Sequence, residues 1–188
     1  MEAEARYSSF SILLHWATAI LIVIAWLLPQ VTDILPRDQE EWIIGLHRSI
    51  GVTVLALVCV RLVWRLVSPP PHLPRFTPLL MRRAAALGHT ALYLLMVAVP
   101  VLGIVFTWSS GNTVPFWGLF NLPNLMDPDP GLREFWIDLH AVLANTIMVL
   151  AGLHALSALF HHYVLKDGLL NRMLPWRPRA DRNSRLAA

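Results

Sequence analysis

The chain has 188 residues, of which 56% are hydrophobic and 14% charged; 15 Lys and Arg against 12 Asp and Glu give a formal net charge of +3. A water-soluble domain carries about 25% charged residues. The deficit, with a mean hydropathy of +0.54, excludes an ordinary soluble globule and points to a chain embedded in lipid.

Four apolar stretches are long enough to cross a bilayer, which takes about 20 helical residues. Glu2 and Glu4 flank Arg6, and no small-residue cleavage pattern follows the first run, so residues 10–28 read as a retained span rather than a removed leader. Residues 29–41 form a polar connection, and a second span covers 42–64. The linker SPPPHLPRFTP (68–78) is stiff and extended, because proline cannot continue a helix; His72 within it reads as solvated. A third span covers 84–108. The loop 109–134 mixes Trp, Phe, Gly and Pro and is expected at the membrane surface, where aromatic rings sit well. A fourth span covers 135–164, followed by a basic tail. The expected fold is an all-α membrane protein: one domain over 1–188, built as a four-transmembrane-helix bundle.

Basic residues orient it. Arg6, Arg61, Arg65, Arg75, Arg82, Arg83, Lys166, Arg172, Arg177, Arg179, Arg182 and Arg185 fall on one side, and Arg37, Arg48 and Arg133 on the other. Both termini are therefore expected to be cytoplasmic. This asymmetry explains the basic tail without a nucleic-acid partner.

The histidines carry the chemistry. Ionisable groups inside a bilayer are costly and are usually functional. His15 lies near the cytoplasmic end of span one, and His47 near the outer end of span two, which runs inward. His140 matches His47 in depth, and His154 follows His140 by fourteen residues. Fourteen residues at 100° each return to within about 40° of the starting direction and advance about 21 Å. His140 and His154 therefore share one face at two depths, giving the pairs His47–His140 and His15–His154. Zinc would want further ligands, and no carboxylate or thiolate cluster is at hand. Cys59 is a lone packing residue, and the absence of CxxCH excludes covalent c-type haem. Two axial ligands and an apolar slot suit a b-type haem at each level. One turn after each of these histidines stands a small residue: Ala19, Gly51, Ala144 and Ala158. Structural histidines and a proton relay are the alternative readings of the same residues.

The ordered pieces RYSSFSILLHW, HRSIGVTVLALVCVRLVWR, LGHTALYLLMVAVPVLG and LHAVLANTIMVLAGLHALSALFHHYVLKDGLLNRMLP resemble the bacterial cytochrome b561 family of four-helix di-haem membrane proteins, and within it the superoxide oxidase type. The resemblance covers nearly the whole chain and is poorest over 109–134. It implies axial ligation of two non-covalent b haems by His15, His47, His140 and His154. It also implies oxidation of superoxide on the outer side and reduction of ubiquinone near the cytoplasmic side. Arg48, beside His47, is expected to pair with a haem propionate; Arg37 and Arg133 could raise the local potential for an anion. The outer loops are net acidic, with Asp33, Asp38, Glu40, Glu41, Asp127, Asp129 and Glu134. His89, His161, Lys166 and Arg82 are the candidates for the quinone site, and His162 is expected to face headgroups. The alternative function is a quinone-linked electron-transfer subunit serving a separate redox partner protein, such as a dehydrogenase or hydrogenase.

Overall fold

A computed structural model of the chain describes residues 6–71 and 78–176. His72, Arg75, Arg177, Arg179, Arg182 and Arg185 lie outside the described residues. Helix α1 spans Ser9–Leu27 and runs into a 3-10 turn, Leu28–Ile34. Helix α2 spans Arg37–Val67, α3 Leu79–Ser109 and α4 Pro130–Phe160, the last continuing as a π-helical turn over His161–Leu165. All four helical stretches are long and apolar enough to cross a membrane.

Local chemistry sets the ends. Ser8 caps α1 by accepting from the Ser11 amide at 3.2 Å. Asp129 caps α4, accepting from the amides of Gly131 and Leu132, with Pro130 at the first helical position. Pro36 and Pro78 precede α2 and α3. Asp38 and Glu40 in the first turn of α2 complement its dipole. The 31-residue helices α2, α3 and α4 extend about 46 Å, more than the roughly 30 Å hydrocarbon thickness. Their polar ends therefore protrude, which is why the helices outrun the apolar spans read from sequence.

Consecutive helices pack side by side, whereas α1 and α2 each barely approach α4. The core is small: Ile50, Val54 and Val58 of α2, Met96 of α3 and Ile147 of α4. Leu66, Leu94, Val149 and Leu156 point outward, as expected where lipid is the solvent and helices gain nothing by hiding leucine from it.

Among the described residues, the loop after α3 contains the one departure from an all-helical reading. Strands β1 (Val114–Phe116) and β2 (Phe120–Leu122) pair antiparallel through a turn in which Trp117 and Gly118 both have positive φ. Ser49 of α2 anchors this hairpin, donating to the Pro115 carbonyl and accepting from the Trp117 amide. The Trp117 indole donates to Thr53. At the opposite end the segments around residues 6–16 and 172–174 meet: Arg6 donates to the Leu174 carbonyl, the Tyr7 amide to the Arg172 carbonyl and the Trp16 indole to the Met173 carbonyl. We call these the hairpin end and the terminal end.

Candidate haem and electron-transfer site

The structure brings together both histidine pairs expected from the spacing. His47 and His140 face each other near the hairpin end, with ring centroids 6.0 Å apart; His15 and His154 do so near the terminal end, at 6.3 Å. Two metal–imidazole bonds of about 2 Å, plus about 1 Å from each nitrogen to its ring centre, separate two trans imidazoles by about 6 Å. Each pair therefore fits one metal between its rings.

The hairpin-end pair is oriented by backbone. His47 Nδ1 lies 2.8 Å from the Ala25 carbonyl and His140 Nδ1 2.9 Å from the Val99 carbonyl. Nδ1–H must donate to a carbonyl, so Nε2 keeps its lone pair for the partner side. The Ala25 carbonyl is free for this because the residue four places on is Pro29, which has no N–H. Val99 immediately precedes Pro100, the proline inside α3. Gly103, one turn further, makes room for the ring: a Cβ there would lie 3.2 Å from His140 Cε1. By contrast, a Cβ on Gly51 would meet nothing within 4 Å. On the His140 face of α4, one turn toward the hairpin end, the Trp136 indole nitrogen is buried without a hydrogen-bond partner. It is a donor suited to an anionic oxygen.

The terminal-end level is more crowded than expected. His89 of α3, read from sequence as a quinone residue, packs 5.3 Å from His154, closer than His15 does. Its hydrogen-bond partner is the Ala85 carbonyl. Three imidazoles thus meet here. Helix packing separates their roles. His89 and His154 sit on α3 and α4, which pack tightly, whereas His15–His154 and His47–His140 span helix pairs that stand apart. Among the described residues no three His, Cys, Asp or Glu side chains form a closed metal cage.

Arg61 donates to His15 Nδ1 at 3.1 Å, which places the His15 proton on Nε2. Ligation by His15 Nε2 requires Arg61 to release Nδ1, so this level is less pre-set than the other. Arg61 and Arg65 both stack on Tyr93, at 5.4 and 5.7 Å from its centroid. With Arg82, His89 and Tyr7 they line a cleft of about 250 Å³. Its cations suit carboxylates or another oxygen-bearing group. From its His89 side a larger groove, about 700 Å³, runs between α2 and α3 past Leu94, Val97 and Val101.

The remaining candidates are spread out. Arg48 is half-buried beside His47. Arg133 stacks on Phe106 and donates to Ser110 at the hairpin end. His161 pairs with Asp167 at 2.5 Å. Lys166 occupies a left-handed turn at φ 52°, and the exposed ring of Tyr163 stacks edge-on with His162.

Residues 6–176 match the family described as prokaryotic cytochrome b561. The chain is 36% identical over 171 residues to a probable superoxide oxidase CybB of Yersinia pestis, covering 90% of this chain and 96% of that protein. It is 35% identical over 172 residues to cytochrome b561 homolog 2 of Escherichia coli (strain K12), covering 90% and 91%. To a cytochrome b562 of Cereibacter sphaeroides it is 36% identical over 185 residues, covering 95% and 100%. The chain is a multi-pass, electron-transferring membrane haem protein and belongs to the prokaryotic cytochrome b561 family.

Proposed function

We propose that the protein is a di-haem superoxide:ubiquinone oxidoreductase of the bacterial inner membrane. The observation that carries this reading is the pair of facing histidine couples, 6.0 and 6.3 Å apart, at two levels of one membrane bundle. The 36% identity to a probable superoxide oxidase favours superoxide as the donor.

A b haem, when bound, supplies a one-electron carrier whose potential the protein tunes. His47 and His140 would hold one such group and His15 and His154 the other. The carbonyls of Ala25 and Val99 fix the first two rings. Arg48 and the Trp136 indole are placed for carboxylates at the hairpin-end level, and Arg61 and Arg65 for those at the terminal-end level.

The cation-rich terminal end faces the cytoplasm on this reading, since Arg6, Arg61, Arg65, Arg82, Arg83, Lys166 and Arg172 lie toward it. Superoxide meets the hairpin end, where Arg37 and Arg133 supply positive charge among the acidic loop residues. Ubiquinone meets the terminal end. The groove between α2 and α3 has a polar end at His89, Arg65 and Tyr93 and an apolar length beyond. That shape suits a ring headgroup with an isoprenoid tail, and Arg82 lines the adjoining cleft.

The stoichiometry tests it. With enzymatically generated superoxide, vesicles holding the protein and ubiquinone should form one ubiquinol per two superoxide consumed, and added superoxide dismutase should suppress the product. Spontaneous superoxide decay without ubiquinol would instead favour an electron-transfer subunit serving a separate redox partner.

A further inference from the structure

Asn145 stands in the middle of α4, exposed within an apolar run. An amide without a partner is penalised there, because lipid offers none. Its side-chain oxygen accepts from the Trp26 indole nitrogen of α1 at 2.9 Å. α1 and α4 otherwise barely approach one another, so packing between them does not fix their separation.

The bond touches the supports of both hairpin-end histidines. Trp26 adjoins Ala25, whose carbonyl orients His47. This end of α1 is secured locally, since the Gln30 side chain donates to the Trp26 carbonyl at 3.3 Å. Asn145 follows His140 by five residues, about 7.5 Å along α4 and about 140° around it. The indole bond therefore passes beside the couple, not between its rings. A closed circuit results. His47 meets Ala25, Trp26 meets Asn145, and α4 carries His140 back to His47, with ring planes crossed at 83°. The terminal-end couple is remote from it, because Trp26 follows His15 by eleven residues, about 16 Å along α1. That end has its own ties, from the Trp16 indole to Met173 and from Arg61 to His15.

We infer that the Trp26–Asn145 bond is a positioning strut of the hairpin-end haem site. It fixes α1 against α4 and, through Ala25, the crossed orientation of the His47 and His140 rings. This rests on the reading of those histidines as a ligand couple; neither superoxide nor ubiquinone enters it. Crossed imidazole planes keep two iron d orbitals close in energy, which makes the ferric spin signal strongly anisotropic. Trp26 and Asn145 touch no reacting atom; they act through the ligands.

The test compares the haem-loaded protein with Trp26→Phe, which removes the donor, Asn145→Leu, which removes the acceptor, and the double variant. Electron paramagnetic resonance of the ferric protein should show one low-spin signal per haem, and the signal absent from His47→Ala marks the hairpin-end site. That signal should lose anisotropy in both single variants at full haem content. Its decay on adding excess apomyoglobin should quicken roughly threefold, as expected for one polar bond between membrane helices. The double variant should match either single variant, and the terminal-end signal should not move. Native spectra and release rates in both single variants, effects that add in the double variant, or an equal change at the terminal-end haem would overturn the proposal. If neither single variant retains haem, Asn145→Gln, which keeps the amide, should restore loading; its failure to do so would also overturn the strut. Retention of two haems by His47→Ala would instead remove the ligand reading on which the strut depends.

Discussion

His47 Nδ1 and the Ala25 carbonyl oxygen lie 2.8 Å apart, and Pro29 is the reason that carbonyl is available. A residue with an N–H at position 29 would close the ordinary helical bond to Ala25 and compete with the histidine. A proline that ends one helix thus sets the ring orientation of a histidine on the next.

Pro29→Ala should therefore weaken the His47 hydrogen bond. A donated Nδ1–H makes imidazole a more basic ligand and favours ferric iron, so the hairpin-end haem should rise in potential by roughly tens of millivolts. Redox titration of the two haem bands checks this; the terminal-end haem should not move.

Gly103 leaves His140 no spare room. Since an added Cβ would sit 3.2 Å from the ring, Gly103→Ala should strain the hairpin-end site and Gly103→Val should abolish it. Haem extraction should fall from two haems per chain toward one in the valine variant.

Three imidazoles share the terminal-end level, and the packing of α3 on α4 assigns them. His15→Ala should lose one haem. His89→Ala should keep two haems and lose quinone reduction. A haem deficit in the His89 variant with full loading of the His15 variant would exchange their roles.

Arg61 is a cation within hydrogen-bonding reach of His15. Positive charge beside a haem favours the reduced, less positive form. Arg61→Leu should lower the terminal-end midpoint by about 100 mV, taking an effective dielectric constant near 20 and a separation of about 7 Å. Arg61→Lys should recover most of that shift. Potentiometry in detergent and in vesicles reads both.

The spans and the two histidine couples were legible because both follow from simple periodicities: about 20 apolar residues per crossing, and fourteen residues for nearly four turns. Orienting contacts were not. Ala25, Val99 and Gly103 act through backbone or through the lack of a side chain, which no spacing rule marks. His89 was placed at the correct depth, but its proximity to His154 depends on the α3/α4 register. The hairpin at 114–122 was missed because its turn, Trp117–Gly118, lacks the usual Asn-Gly or Asp-Gly signal. Asp167 was hidden by its distance from His161 on the helical wheel, which the π-turn and two left-handed residues remove.

On the proposed route electrons enter from superoxide at the hairpin end and leave to ubiquinone at the terminal end. It is tested most directly by mixing the oxidised, quinone-free protein with a pulse of superoxide and following the haem bands. Haem reduction should be far faster than spontaneous superoxide decay, and ubiquinone added afterwards should reoxidise the haems. Superoxide decay at its unaided rate, with both haems remaining oxidised, would contradict it.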